Sequence, residues 1–279
     1  MINYKKYSLL SIAKAVMRNL CLTAFAIFSL FPLFWMVLCS FKSDTEMYNT
    51  VFRFTPTLEN YQKVLIGTNY FKTFVQNLII AGGAVLITIL AGVPCAYALA
   101  RYQFNNKEDI AFQILSFKFA PEIMVVLPIF LIFQKIGLYD TYRGLIWVYQ
   151  LITMPLVIWV VRGYFEEISI EIEQAAQLDG YTWYEVFLKY LLPLIKPGLV
   201  ASALLAFIFA WNSFTFPMIL SGFNIQPITI TALRYIASDT VHYGQVAVAS
   251  CIAVLPEIIV ALFIQKHLVR GLSFGAVKG

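Results

Sequence analysis

Charge is what this sequence has least of. Lys, Arg, Asp and Glu supply 13 % of its 279 residues, about half of the roughly 25 % usual in a soluble domain. Hydrophobic residues make up 60 %, against about 45–50 % in a soluble domain. That balance excludes an ordinary water-soluble domain, and it equally excludes a disordered chain. Histidine is nearly absent: His242 and His267 are the only two. The sequence has no HExxH, no GxSxG and no P-loop, so metal, acyl-transfer and nucleotide chemistry are not encoded. The chain is expected to be no enzyme and to hold no cofactor and no metal. The four cysteines, Cys21, Cys39, Cys95 and Cys251, are far apart and form no CxxC; they read as small buried hydrophobes. The net charge of +5 is scattered between apolar runs, which excludes a nucleic-acid face. No low-complexity tract and no internal repeat is visible.

Long apolar runs take the place of the missing charge. A transmembrane helix needs about 20 mainly apolar residues. Six segments qualify, near 20–41, 74–100, 110–134, 144–163, 197–221 and 246–265. The fold class is therefore an all-α integral membrane protein with six transmembrane helices. Lys5, Lys6, Lys14 and Arg18 precede the first segment. Its apolar stretch exceeds the roughly 7–15 residues of a signal core and no small-x-small site follows, so it reads as a retained helix. With the N-terminus inside, twelve Lys and Arg fall on the cytoplasmic side: those four, then Arg101, Lys107, Arg162, Lys189, Lys196, Lys266, Arg270 and Lys278. Seven fall outside, at Lys42, Arg53, Lys63, Lys72, Lys135, Arg143 and Arg234, and Lys118 lies within a span. The excess places both termini in the cytoplasm. The expected organisation is an N-terminal segment and first helix over 1–41, an outer loop over 42–73, and a five-helix core over 74–279. The core carries a cytoplasmic loop at 164–196 and a cytoplasmic tail at 266–279.

The loop at 164–196 carries the most information. Ile172, Ala175, Ala176 and Asp179 stand at helical spacing, and Gly180 suits the left-handed residue that ends a helix. Thr182-x-x-Glu185 is a capping box that starts a second helix. Pro193 and Pro197 are expected to separate this helix from the next span. Ala175, Ala176 and Gly180 offer a small, closely approachable surface, while Trp183, Tyr184 and Phe187 supply aromatic contacts. Glu173 and Asp179 are free to face water or a partner's basic groups. By spacing alone the loop is either a docking site for a cytoplasmic protein or an amphipathic helix lying on headgroups. Its acidic first half suits a negative leaflet poorly.

The run Glu173-Gln-Ala-Ala-Gln-Leu-Asp-Gly180, followed after nine residues by Tyr190-Leu-Leu-Pro193, resembles the EAA loop of ABC-importer permeases. Gln174 stands where that pattern usually has Glu, and Tyr190 replaces Ile. Further segments resemble the carbohydrate-importer group, most of all the second permease of the maltose and polyol type. They are Pro56-Thr-Leu-Glu-Asn-Tyr61, Ala96-Tyr-Ala-Leu-Ala-Arg101, Ala210-Trp-Asn-Ser-Phe214 and the tail from Gln265 to Lys278. Ser213 departs from the Glu that commonly follows Trp-Asn. The resemblance runs from about residue 20 to the end. It implies a type I ABC importer permease fold in a bacterial cytoplasmic (inner) membrane. It implies that Glu173, Gln174, Ala175, Ala176, Asp179, Gly180, Leu192 and Pro193 form the loop that docks on an ATPase. The implied partners are a second permease in a heterodimer, a homodimeric ATP-binding subunit, an extracytoplasmic solute-binding protein and a sugar or polyol. The ATPase supplies the hydrolysis, and closure of its dimer moves the helices at 170–190 and drives alternating access.

Polar groups inside a span are costly and mark candidate function. Lys118 and Glu122 stand four residues apart on the third span and are expected to share a face and pair. At about 1.5 Å per residue, Glu122 falls about 18 Å in from residue 110. Pro121 and Pro128 on the same helix are positioned to kink it toward a cavity. The pair reads either as cavity lining or as a structural ion pair. Trp211 and Asn212, about 22 Å along the fifth span, offer an aromatic face and an amide, which suits a sugar. The other reading of Asn212 is a bond to a neighbouring helix. Gln150 and Glu257 are weaker substrate candidates, and Trp35, Trp147, Trp159 and Tyr149 read as lipid-facing or interfacial. Two alternatives remain: an ABC permease for a non-sugar solute, and a stand-alone secondary transporter. The second is disfavoured by the absence of a repeat.

Overall fold

The computed structural model describes residues 9–50, 52–233, 235 and 241–275. Lys5, Lys6, Arg234 and Lys278, which entered the charge count, lie outside the described residues, as do the side chains of the Gln265–Lys278 motif. All regular structure among the described residues is helical. The chain divides into two compact units, one of residues 1–68 and 235–252, the other of residues 69–234 and 253–279.

The first unit contains α1 (Leu9–Ser40), α2 (Glu59–Leu65) and the start of α13 (Tyr243–Gly275). The most apolar stretch of α1 buries none of its residues, as suits a helix in contact with lipid. The segment after α1 folds on Lys42, which the sequence places as an ordinary loop charge. The side chain is fully buried. Its Nζ donates to the Asn49 carbonyl at 2.6 Å and lies 4.8 Å from the Trp35 ring and 5.4 Å from that of Phe54. Aromatic faces and a carbonyl replace the water the ammonium gives up. Asn60 donates to the carbonyls of Ser40 and Lys42, pinning α2 to the same turn. Outside the apolar helices, the Glu59 carboxylate 2.8 Å away, reinforced by Asp44, raises the Lys63 ammonium above the usual lysine range.

The second unit is built on α3 (Tyr70–Arg101), α7 (Gln150–Glu167) and α10 (Leu192–Trp211). Ala84, Thr88, Gly92 and Ala96 repeat every four residues on α3 and form a narrow stripe against α7. Small residues let apolar helices approach closely, which is how they gain packing energy in a bilayer. Gly198 does the same on α10, where a Cβ would stand 2.2 Å from the Tyr164 ring. A polar pin crosses the stripe. Thr88 donates to Gln150 Oε1 at 2.7 Å, and Gln150 Nε2 donates to the Ala84 carbonyl at 3.1 Å. Gln150 is thus an interhelical fastener.

Among the described residues, four helices are long and apolar enough to cross a membrane, and up to six spans result when each of two bent pairs is taken as one. The third expected span is the first bent pair. α4 (Lys107–Ser116) runs into a 3-10 turn at Phe117–Phe119, and α5 (Glu122–Ile136) leaves at 94°. Pro121 forces Ala120 into an extended conformation, with ψ 126°, and ends the helix. A depth count along one straight helix therefore does not hold. The fourth span bends by 42° between α6 (Tyr142–Val148) and α7. There Gln150 Nε2 and Thr153 Oγ1 take the carbonyls of Ile146 and Tyr149, loosening the backbone ladder. Tyr149, at this joint, is fully buried and does not face lipid.

Two further expectations are corrected. Pro193 and Pro197 do not separate the second loop helix from the fifth span. α9 (Trp183–Val186) continues through a π-helical turn at Phe187–Leu191 directly into α10. The wider turn precedes Pro193 and accommodates the bond its missing N–H removes. The fifth span also ends earlier than expected. α10 stops at Trp211, Asn212 caps it, and α11 (Thr215–Leu220) is a separate short helix. Beyond it, Asp140 accepts the backbone N–H groups of Gly222, Asn224 and Ile225 at 2.8, 3.0 and 2.9 Å. Gln76 takes both directions of the next contact, from Gln226 N–H and to the Asn224 carbonyl. These bonds lead the chain into α12 (Ile228–Leu233).

Candidate functional site

Two places in the second unit gather the polar residues that the sequence singles out. The first is the loop at 164–196, whose leading helix is α8 (Ile170–Leu178). Glu173 and Ala176 lie one turn apart on its buried face. Glu173 is not free for water or a partner. Its carboxylate pairs with the Arg101 guanidinium and accepts the Tyr97 hydroxyl at 3.0 Å. Arg101 also donates to the Ile168 carbonyl at 2.8 Å. The Tyr97 ring packs edge-on against Phe165 and Phe187, so the loop is fastened to the end of α3 by charge and by aromatic packing. A carboxylate with both a cation and a hydroxyl beside it is stable out of water, whereas an isolated one is not.

The opposite face of α8 is open. Gln174, Ala175, Asp179 and Gly180 are exposed, and Leu178 is 88 % exposed. Leucine so bare at the end of a helix is an uncovered apolar contact. Gly180 has φ +91°. Its N–H donates to Gln177 O and the next N–H, of Tyr181, to Ala176 O, which is the Schellman arrangement that a glycine best allows. Thr182 and Glu185 form the expected capping box. Leu192 and Pro193 stand in the first turn of α10, behind the π-helical turn.

The second place is a cavity of about 520 Å³. Its wall includes Lys118, Glu122, Phe117, Ile152, Phe209 and Phe216. Lys118 and Glu122 thus share a cavity, but no ion pair joins them among the described residues. The break at Pro121 removes the common helix face on which they were expected to pair. Lys118 instead sets its Nζ 3.8 Å from the centre of the Phe209 ring, and Glu122 begins α5, where a helix N-terminus favours negative charge. A low-polarity wall with one ammonium and one carboxylate offers hydrogen bonds of both senses and no net charge.

Trp211 and Asn212 do not line this cavity. Trp211 is 1 % exposed. Its ring packs against Phe74 and Phe207 and its Nε1 donates to the Ala253 carbonyl at 3.0 Å, so it has no face left for a ligand. Asn212 is exposed, donates to Ile208 O at 3.1 Å and interacts with the Glu257 carboxyl. Sequence reasoning passed over Phe209, and it named Arg101, Tyr149 and Ser213 without giving them these places. Of these, only Arg101 carried a signal, as the single basic residue in the last turn of a long apolar helix. No group of His, Cys, Asp and Glu among the described residues is arranged to hold a metal ion.

The family described as "Binding-protein-dependent transport system inner membrane component" matches residues 10–274. The trehalose/maltose transport system permease protein MalG of Thermococcus litoralis is 34 % identical over 91 % of this chain and 93 % of its own length. The trehalose transport system permease protein SugB of Mycobacterium tuberculosis is 32 % identical over 90 % and 93 %. A solved bacterial ABC transporter involved in importing the acidic polysaccharide alginate is similar in fold, with a TM-score of 0.78 over 93 % of this chain and 98 % of that one, at 24 % identity.

Proposed function

Since the chain belongs to the family of binding-protein-dependent transport system inner membrane components, the multi-pass permease subunits of ABC importers, we propose that it carries a neutral sugar or polyol across the bacterial inner membrane by alternating access. Its relatives from Thermococcus litoralis and Mycobacterium tuberculosis are named for trehalose and maltose, which sets the first solutes to try. The proposed assembly is a heterodimer with a second permease, two copies of an ATP-binding subunit and an extracytoplasmic binding protein. Both termini and the loop at 164–196 face the cytoplasm in this reading, in line with the Lys and Arg excess there.

The observation that carries the proposal is the two-faced α8. One face is tied to α3 through Glu173 and Arg101. The other presents Gln174, Ala175, Leu178, Asp179 and Gly180 to whatever docks. In this role Glu173 and Ala176 hold the helix, and Leu192 and Pro193 connect it to α10. A push from the ATP-binding subunit then reaches α3 and α10 together, because α8 is fastened to one and joined by the turn at Gly180 to α9, which runs on into the other. The solute is bound between the two states with different affinity, which is the only way a ligand biases such a cycle. We assign Lys118 and Glu122 to its path: the ammonium donates to hydroxyl oxygens and the carboxylate accepts O–H groups. The expectation that Trp211 stacks on solute is dropped, and Asn212 is kept only as a contact to Glu257.

Reconstitution tests the proposal. The chain, the second permease and the ATP-binding subunit in proteoliposomes should take up trehalose or maltose only with ATP and the binding protein present. Uptake by this chain alone, driven by an ion gradient and indifferent to ATP, defeats it. A binding protein that retains only a non-sugar solute defeats the carbohydrate assignment while leaving the importer.

A further inference from the structure

Lys118, Glu122 and Phe209 all line the cavity of about 520 Å³, and the way they share it is unusual. The ammonium of a lysine inside a span normally pairs with a carboxylate or with backbone carbonyls. Among the described residues, Lys118 has no ion pair and no hydrogen bond. Its Nζ stands 3.8 Å from the centre of the Phe209 ring instead. Glu122 also has no ion pair and no hydrogen bond among the described residues, although it borders the same space. The Phe209 ring is itself 43 % exposed, on a helix whose adjoining Ala206 and Ala210 are buried. The three donors of the ammonium and the lone pairs of the carboxylate are thus left for something that enters.

Carbon atoms in contact stand about 3.5–4.0 Å apart, so the ammonium sits at the height of a ligand stacked on Phe209. We propose that Phe209 is the stacking platform for one pyranose ring of the solute, and that Lys118 is its resting occupant, which leaves the ring for the sugar's hydroxyls when solute arrives. The face of an aromatic ring is negative. It attracts the C–H groups on the face of a sugar for the same reason that it attracts an ammonium. The lysine stem is flexible, so Nζ can move from the ring face to the edge of a stacked sugar, where the hydroxyls are. There it donates, and Glu122 accepts. An apolar solute would cover the ring but leave both charges without partners, at the cost of their desolvation. Glu122 repels an anion. A cavity of this volume lies within the roughly 300–1,000 Å³ of small-molecule sites. The aromatic face that the sequence assigns to Trp211 is supplied in this reading by Phe209, two residues earlier on α10. The inference rests on the carbohydrate cargo proposed above and narrows it to the ring form.

The test uses the complete importer in proteoliposomes, with ATP and the binding protein. Phe209→Leu removes the ring and keeps an apolar side chain, whereas Phe209→Tyr keeps the ring. The leucine variant should raise the half-saturation concentration for trehalose or maltose about 3- to 10-fold, with maximal rate and melting temperature of the complex unchanged. The tyrosine variant should stay within about twofold of wild type. No loss in the leucine variant, or an equal loss in both, overturns the platform. In parallel, the wild-type complex is treated with acetic anhydride during turnover, and acetylation of Lys118 is read by peptide mass spectrometry. Saturating trehalose should slow it about threefold or more, by occupying the site. A Lys118 that trehalose does not protect, or that never reacts, means that no solute meets the ammonium. Either result overturns the proposal, even where Phe209→Leu fails to assemble. If the wild-type complex moves neither sugar, the carbohydrate reading fails and the platform falls with it. Sugar uptake by wild type with an unaffected leucine variant removes the platform alone and leaves that reading standing.

Discussion

Arg101, in the last turn of α3, and Glu173, in the first turn of α8, form an ion pair buried on both sides, with 11 % and 8 % of their side chains exposed. They are 72 residues apart in the chain. The pair ties the end of a membrane helix to the loop at 164–196. Glu173→Ala leaves the guanidinium buried with only the Ile168 carbonyl, and breaking a buried pair from one side costs about 3 kcal/mol or more. The solubilised complex should melt lower, as read by differential scanning fluorimetry. A double replacement by Arg101→Met and Glu173→Leu should recover much of that stability. In this fastening role the double variant still hydrolyses ATP but imports poorly. Full import by it means that the pair is structural only.

Gly180 predicts an uncoupled phenotype. Its φ of +91° is reached by glycine without strain, and a β-branched side chain costs about 1–3 kcal/mol there. Gly180→Val should distort the turn after α8 while leaving the capping box at Thr182 in place. Import should fall at least tenfold, with the complex still assembled on a sizing column. Normal import by this variant removes the turn from the coupling path.

The cavity predicts two separable losses. Lys118→Met and Glu122→Gln should each raise the half-saturation concentration for solute about tenfold, the effect of a lost hydrogen bond to a charged group. Because the two residues do not pair, the losses should add in the double variant. A double variant no worse than either single one means that they act as a pair after all.

Asp140 predicts a local opening. Its carboxylate accepts three backbone N–H groups, and Asp140→Ala leaves them without that acceptor at about 1–3 kcal/mol. Hydrogen exchange at Gly222, Asn224 and Ile225 should speed up first. Exchange that rises evenly over the second unit points to global destabilisation instead.

Gly198 predicts a packing clash. A Cβ placed there stands 2.2 Å from the Tyr164 ring, and forced overpacking of this kind costs about 1–3 kcal/mol. Gly198→Ala should lower the yield of assembled complex, and Tyr164→Ala in the same chain should restore part of it. No recovery means that the clash is relieved elsewhere.

How much of this was legible in the sequence follows from the range of each interaction. Apolar run length depends on composition alone, so the all-helical class and the number of apolar segments could be read directly, while their breaks and ends could not. The capping box at Thr182 and the left-handed Gly180 are decided within a few residues, and both are in the structure as read. Lys118 and Glu122 were picked as rare charges within a span and do share a cavity. Their pairing was read from an unbroken helix, and Pro121 broke it.

The residues that the sequence hid are those whose partners are distant. Glu173 seemed a free acid because Arg101 and Tyr97 lie more than seventy residues before it. Lys42 seemed a loop charge until the chain folded over it. Tyr149 read as lipid-facing and Trp211 as a face for a sugar, yet both are buried. The scarcity of charge, visible at once, determined that the chain lives in a bilayer. Which of the few charges are fastened, which are exposed and which line a cavity was decided only by the tertiary structure. A group buried out of water must find its partner in three dimensions, and linear spacing does not record which one it finds.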